Sequence, residues 1–145
     1  MDAEDGGAVL VGGDSGGDAR GDRAGLRVEV AAFLEERLTF AVDAGIPEER
    51  ICLDPGFGFG KTVAHNVELL RRLRELTALG RPLVVGLSRK STLGRLAGSP
   101  DATTGSTAAS VAAAVQAYER GATIVRAHDV REHVEALAVA RAVVA

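Results

Sequence analysis

Two rhythms alternate along this chain. Short apolar runs rich in β-branched residues, Ile51–Leu53, Leu83–Val85 and Ala122–Val125, read as buried strands, and the expected bounds are 51–54, 83–87 and 122–127. Between them lie longer stretches whose apolar residues recur three or four apart. Residues 28–44 put Val30, Phe33, Leu34, Leu38, Ala41 and Val42 at helical spacing, with Glu35, Glu36 and Arg37 between them. Gly45 ends that pattern, where a left-handed φ favours glycine. Residues 64–79 repeat it with Leu69, Leu70, Leu73 and Leu76, and stop at Gly80. Ser91 is expected to cap a short helix reaching about Leu96, before the turn Gly98-Ser99-Pro100-Asp101. An alanine-rich helix is expected over 105–120, ended by Gly121, and a last helix over about 131–143.

Strands that alternate with helices build a parallel sheet through crossover connections. Three βα units are clear, and Ala8-Val9-Leu10-Val11 is a weaker fourth strand. A full (β/α)8 barrel takes about 250 residues. At 145 residues the chain is too short for one, and it is expected to be α/β, with three to four βα units and parallel strands. Residues 1–26 differ from the rest. Their glycine pairs and acidic residues are the composition of a flexible segment, with strand 8–11 inside it, so the ordered domain is placed at 27–145.

Each strand ends in polar residues, which is where ligands bind in such folds. The first runs into Asp54-Pro55-Gly56-Phe57-Gly58-Phe59-Gly60-Lys61-Thr62, the second into Ser88-Arg89-Lys90-Ser91, and the third into Arg126-Ala127-His128-Asp129. A buried carboxylate such as Asp54 can accept hydrogen bonds from adjacent N–H and amino donors of a flat ring, one of them charge-assisted. Lys90 is a compact donor, and Arg89 a planar fork suited to a carboxylate or an aromatic face. Arg126 and His128 alternate along a strand end and share one side, which makes an anion site. The loop glycines are spaced G-x-G-x-G, not the G-x-G-x-x-G of a dinucleotide site. Gly60-Lys61-Thr62 matches the end of a phosphate-binding P-loop, but Pro55 stands where its first glycine belongs.

Composition narrows the classes. A net charge of −3 implies no broad basic surface, so no nucleic-acid partner is expected. No apolar run approaches the ~20 residues of a membrane span. The N-terminus has neither a basic start nor an apolar signal core, so a cytoplasmic location is expected. Cys52 lies inside a strand and reads as a small apolar residue. No metal-ligand spacing is present, so no metal-binding residues are assigned. His65 with Asn66 reads as structural, His133 as an exposed helical residue, and Asp129 as the cap of the last helix.

The strings LDPGFGFGKT, GLSRKSTLG and IVRAHDV, in this order and separated by helices, resemble the carboxyl-terminal half of dihydropteroate synthase over roughly residues 28–145. The resemblance implies a partial TIM-type (β/α)8 barrel and condensation of 6-hydroxymethyl-7,8-dihydropterin diphosphate with 4-aminobenzoate, releasing pyrophosphate. It implies Asp54 and Lys90 on the pterin, and Arg126 and His128 on the pyrophosphate end. Phe59, Ser88 and Arg89 would lie toward the aminobenzoate, with Phe59 stacking on its ring, and Gly58 would be a further substrate-binding position. Mg²⁺ is implied as cofactor, although the family's usual asparagine ligand belongs to strands without a counterpart here. Gly12-Gly13-Asp14-Ser15-Gly16 replaces the family's histidine- and methionine-containing segment. Two functional readings follow: a synthase completed by another segment, as a homo-oligomer or with a partner half, or a non-catalytic pterin- or anion-binding remnant. A pterin-dependent methyltransferase domain is a weaker third, because the SRKS and R-x-H-D strings point to the synthase.

Overall fold

The four strands expected from the apolar runs all form, and all run parallel. They are β1 (Val9–Gly12), β2 (Ile51–Asp54), β3 (Val84–Val85) and β4 (Ile124–Val125). This computed structural model describes residues 8–12 and 23–144. Residues 1–7 and 13–22, most of the segment read as flexible, lie outside the described residues. β1 pairs with β2 from Val9 opposite Ile51 to Gly12 opposite Asp54. β2 meets β3 where Leu53 faces Leu83, the Leu53 N–H donating to Pro82 O at 2.9 Å. β3 pairs with β4 through Val84–Ile124 and Val85–Val125. The strand order therefore follows the sequence, as in one arc of a barrel.

The crossovers are helical. α1 (Arg23–Asp43) joins β1 to β2, and it starts five residues before the expected position 28. α2 (Val63–Arg71) is shorter than the predicted 64–79 helix and continues as a 3₁₀ segment, Leu73–Leu79. The apolar spacing explains the change. In a 3₁₀ turn residues three apart eclipse one another, and Leu73 and Leu76 are both sealed in the core. α3 (Ser91–Leu96) and α4 (Thr107–Glu119) join β3 to β4, and α5 (Val130–Val144) follows. Ser91 is the first helical residue rather than the cap; Lys90 holds the cap position with no side-chain bond. In this crossover the side-chain cap belongs to α4: Ser106 Oγ accepts the Ala109 N–H at 3.1 Å. Gly45, Gly80 and Gly121 end their helices with φ of 89°, 71° and 97°, as their positions foretold.

Every residue of β2 is buried. A strand covered by helices and flanked by strands on both sides has no solvent face, which suits its continuous apolar run. Ile51 and Leu53 pack with Val30 and Leu34 of α1, Leu69 of α2 and Leu73 in one core cluster. Ala113 and Ala117 of α4 belong to the same cluster, and their small size lets the helix approach the sheet. Cys52 is buried and unpaired, as expected for a small apolar residue. His133 corrects its sequence reading: it is 3% exposed, not a surface residue. Among the described residues no helix is long and apolar enough to cross a membrane.

Candidate active site

The carboxyl ends of β2, β3 and β4 lie side by side, so the polar residues after each strand meet. Asp54 closes β2 and is buried. Its Oδ1 accepts the Gly56 N–H at 2.9 Å, and its Oδ2 accepts Arg126 Nη2 at 3.0 Å. The guanidinium reaches the carboxylate by passing over Gly86. A Cβ at that glycine would stand 2.9 Å from Nη2, so the missing side chain is what makes the path.

The glycine loop is held by one buried amide. Gly58 sits at φ 80° and donates its N–H to Asn66 Oδ1 at 2.8 Å. Asn66 Nδ2 donates in turn to Lys61 O at 3.2 Å and Thr62 O at 2.9 Å. Lys61 turns its ammonium back on the loop, donating to Gly56 O at 3.0 Å and Phe59 O at 3.2 Å. Thr62 Oγ1 accepts the His65 N–H and caps α2. The residues of the near-miss P-loop are thus spent on local structure. Phe57 is core, whereas Phe59 is half exposed and carries Lys90 Nζ 4.3 Å from its ring centroid, a cation–π contact. The Lys90 stem crosses Gly58, where a Cβ would come within 3.0 Å of Lys90 Cδ.

The loop after β3 is tied to the loop after β4. Arg89 has a left-handed φ of 57°, uncommon for a residue with a side chain. Two hydroxyls hold it there: Ser110 Oγ accepts its N–H at 2.9 Å, and Thr104 Oγ1 donates to its carbonyl at 3.1 Å. Its guanidinium grips Asp129 in a fork, Nη2 to Oδ1 at 2.6 Å and Nε to Oδ2 at 3.2 Å. That hydrogen bonding holds the Asp129 carboxyl below the usual carboxylate range and raises Arg89 above its own. Asp129 holds the cap position of α5 to which the sequence pointed, its carbonyl accepting the His133 N–H and lying 2.7 Å from His133 Nδ1, while its carboxylate clamps Arg89. Ser88 is buried, and its Oγ lies 3.1 Å from both the backbone nitrogen and the ring Nδ1 of His128.

A cavity of about 220 Å³ opens between these elements, lined by Gly86, Ser88, Lys90, Arg126, Ala127 and His128. Asp54 connects to it through Arg126, and Gly58 and Phe59 through Lys90. Arg89 stands apart, turned to Asp129. Sequence reasoning passed over one residue on which the site depends, Gly86, and left the partners of another, Asn66, unassigned. Gly86 inside an apolar strand run is the kind of glycine that marks close approach, and was legible as such. Asn66 was read as structural, which it is, but its partners lie in a loop whose shape only the fold sets.

A family model described as pterin binding enzyme matches residues 15–128. The chain belongs to the pterin-binding enzyme family. The dihydropteroate synthase of Neisseria meningitidis serogroup C is 52% identical over 110 residues, which is 75% of this chain and 38% of that protein. Two structures of the Xanthomonas albilineans synthase align with TM-scores of 0.84 and 0.83 at 43% and 42% identity. Each alignment covers 95% of this chain and 52% or 50% of the solved one. The pterin-binding fold is thus present as part of a TIM-type barrel, and the chain spans between two fifths and about half of the relatives it matches.

Proposed function

We propose that this chain is the ligand-binding half of a dihydropteroate synthase. In this reading it joins 6-hydroxymethyl-7,8-dihydropterin diphosphate to 4-aminobenzoate once a second half closes the barrel. The observation that carries the proposal is a buried carboxylate, Asp54, engaged by Arg126 beside a cavity walled by Lys90, Arg126 and His128. The Xanthomonas albilineans synthase is described in complex with 7,8-dihydropteroate and with 4-aminobenzoic acid, which supports both ends of the substrate pair.

The chemistry fits the charges. Asp54 takes the N–H and amino donors of the pterin, and Lys90 its carbonyl or ring nitrogen. As the methylene C–O bond breaks, the pterin becomes electron-poor and the Asp54 carboxylate stabilises it. The bonding pair leaves with the pyrophosphate, whose charge Arg126 and His128 receive. The amine of 4-aminobenzoate supplies the electron pair of the new C–N bond and loses a proton. Phe59 offers a ring face to the aminobenzoate, and Arg89 its carboxylate partner, sharing the guanidinium with Asp129.

Arg126 has two tasks in this scheme. In the structure it neutralises Asp54. An arriving diphosphate competes for the guanidinium, and an arriving pterin competes for the carboxylate, so each part of one ligand releases the partner of the other. Mg²⁺ finds no donor set here. Asp54 is occupied by an N–H and a guanidinium, Lys90 and Arg126 bring positive charge to the cavity wall, and the described residues hold no group of three metal-ligating side chains. No step is therefore routed through the metal. The completing half, a partner or a second copy of the chain, would pair with strand edges where Leu10 and Ile124 are exposed.

Calorimetry with the pterin diphosphate tests the reading. Asp54→Ala should abolish measurable binding, and Arg126→Ala should weaken the diphosphate ligand far more than a pterin lacking it. Unchanged affinity in Asp54→Ala would overturn the site.

A further inference from the structure

We propose that Ser88 is a positioning residue that sets the tautomer of His128, so that the neutral imidazole presents Nε2–H to a phosphate oxygen. The inference rests on the reading of His128 as an anion-binding residue.

The argument is one of donors and acceptors. Ser88 is 7% exposed, so its hydroxyl proton has little access to water. A buried hydroxyl hydrogen is normally bonded. Ser88 Oγ has two described partners, both on His128 and both at 3.1 Å. The backbone N–H of His128 is a donor only, and the oxygen accepts it. The hydroxyl proton is left with one acceptor in reach, the lone pair of Nδ1. A neutral imidazole that accepts at Nδ1 carries its proton on Nε2. An anion needs a donor, and this arrangement supplies one at the nitrogen not turned to Ser88. The opposite tautomer would leave the serine proton without a partner and offer the anion a lone pair.

The same oxygen also fixes the chain that bears the ring. Regular pairing of β3 with β4 ends at Val85 and Val125, with Arg126 N–H donating to Val85 O at 3.0 Å. The bond from His128 N–H to Ser88 Oγ carries the link between these segments further, a side-chain oxygen standing in for a backbone carbonyl. Arg126 and His128 are thereby held at the wall of one cavity.

Long-range ¹H–¹⁵N spectra of the histidine side chains, recorded at alkaline pH where imidazoles are neutral, read the tautomer directly and need no ligand. Wild-type chain should show His128 mainly as the Nε2–H form. Ser88→Ala should give a mixture, and Ser88→Thr, which keeps the hydroxyl, should restore it. In parallel, inorganic pyrophosphate titrated into the protein should bind about tenfold more weakly in Ser88→Ala, the loss of one oriented hydrogen bond to a charged group. A pterin without diphosphate should bind as before. An Nδ1–H form in the wild type, a tautomer unmoved by Ser88→Ala, or equal weakening of both ligands would overturn the proposal. Should Ser88→Ala fail to fold, Ser88→Cys, a weak donor, reads the same effect at smaller size. If the wild type binds neither probe while the tautomer still follows Ser88, the reading of the site fails and the tautomer control stands.

Discussion

β2 and β4 end in the same site but live in different surroundings. β2 is buried along its whole length, between β1 and β3 and under α1 and α2. β4 has one strand neighbour among the described residues, Ile124 is 42% exposed, and α5 leaves Val130, Val134, Val139 and Val143 open to solvent. Their loops differ in the same sense. The glycine loop after β2 is locked by a buried neutral amide, Asn66, whereas the loops after β3 and β4 are clamped together by the exposed pair Arg89–Asp129. The contrast shows which part of the site stands on its own core and which part lies beside exposed apolar residues.

The largest effect should come from the centre. Leu53→Ala removes a fully buried side chain and should cost about 2–5 kcal/mol in denaturant unfolding, while Val143→Ala, at 81% exposure, should stay within about 0.5 kcal/mol. Similar losses at both positions would erase the distinction. Asn66→Ala comes next. It strands the Gly58 N–H and should cost about 1–3 kcal/mol, with proteolysis moving into residues 56–61; a loop that remains resistant would mean that Lys61 alone holds it. Val139→Lys should leave the stability of the isolated chain unchanged but, if the apolar flank of α5 is covered by the completing half, should weaken association in analytical ultracentrifugation. The smallest effect belongs to the clamp. The Asp129 carboxyl is held low in the folded state, so its contribution is present above the ordinary carboxylate pKa and is lost as pH falls through the depressed folded value. Being exposed, the pair should also weaken with salt. Arg89→Ala should remove the pH dependence of that step, as read by the amide signals of the 88–91 loop.

Much of this was legible in the residues. The apolar runs marked all four strands; β2 and β3 are buried along their length, where a parallel strand covered on both faces must be apolar throughout, while β1 and β4 are partly exposed. The strings after them named Asp54, Lys90, Arg126 and His128 as neighbours, because strands of one parallel sheet deliver their carboxyl ends to one side. Local chemistry also placed the three helix-ending glycines. It failed where the partner is distant in sequence. Asp129 stands at the start of α5 as expected, but its carboxylate goes to Arg89, forty residues away, which the local pattern does not show. His133 sits on a helix of mixed polarity, and which face α5 turns inward depends on what packs there.

The sequence by itself determined the order of strands and helices, the family and the inventory of charges at the site, since these rest on periodicity and on residue types at strand ends. Tertiary structure decided the pairing: Arg126 on Asp54 across Gly86, Ser88 on His128, Arg89 on Asp129 and Asn66 on the glycine loop. Each of these contacts depends on distances of a few ångströms between segments that the chain joins only through intervening crossovers, and local pattern carries no record of such distances.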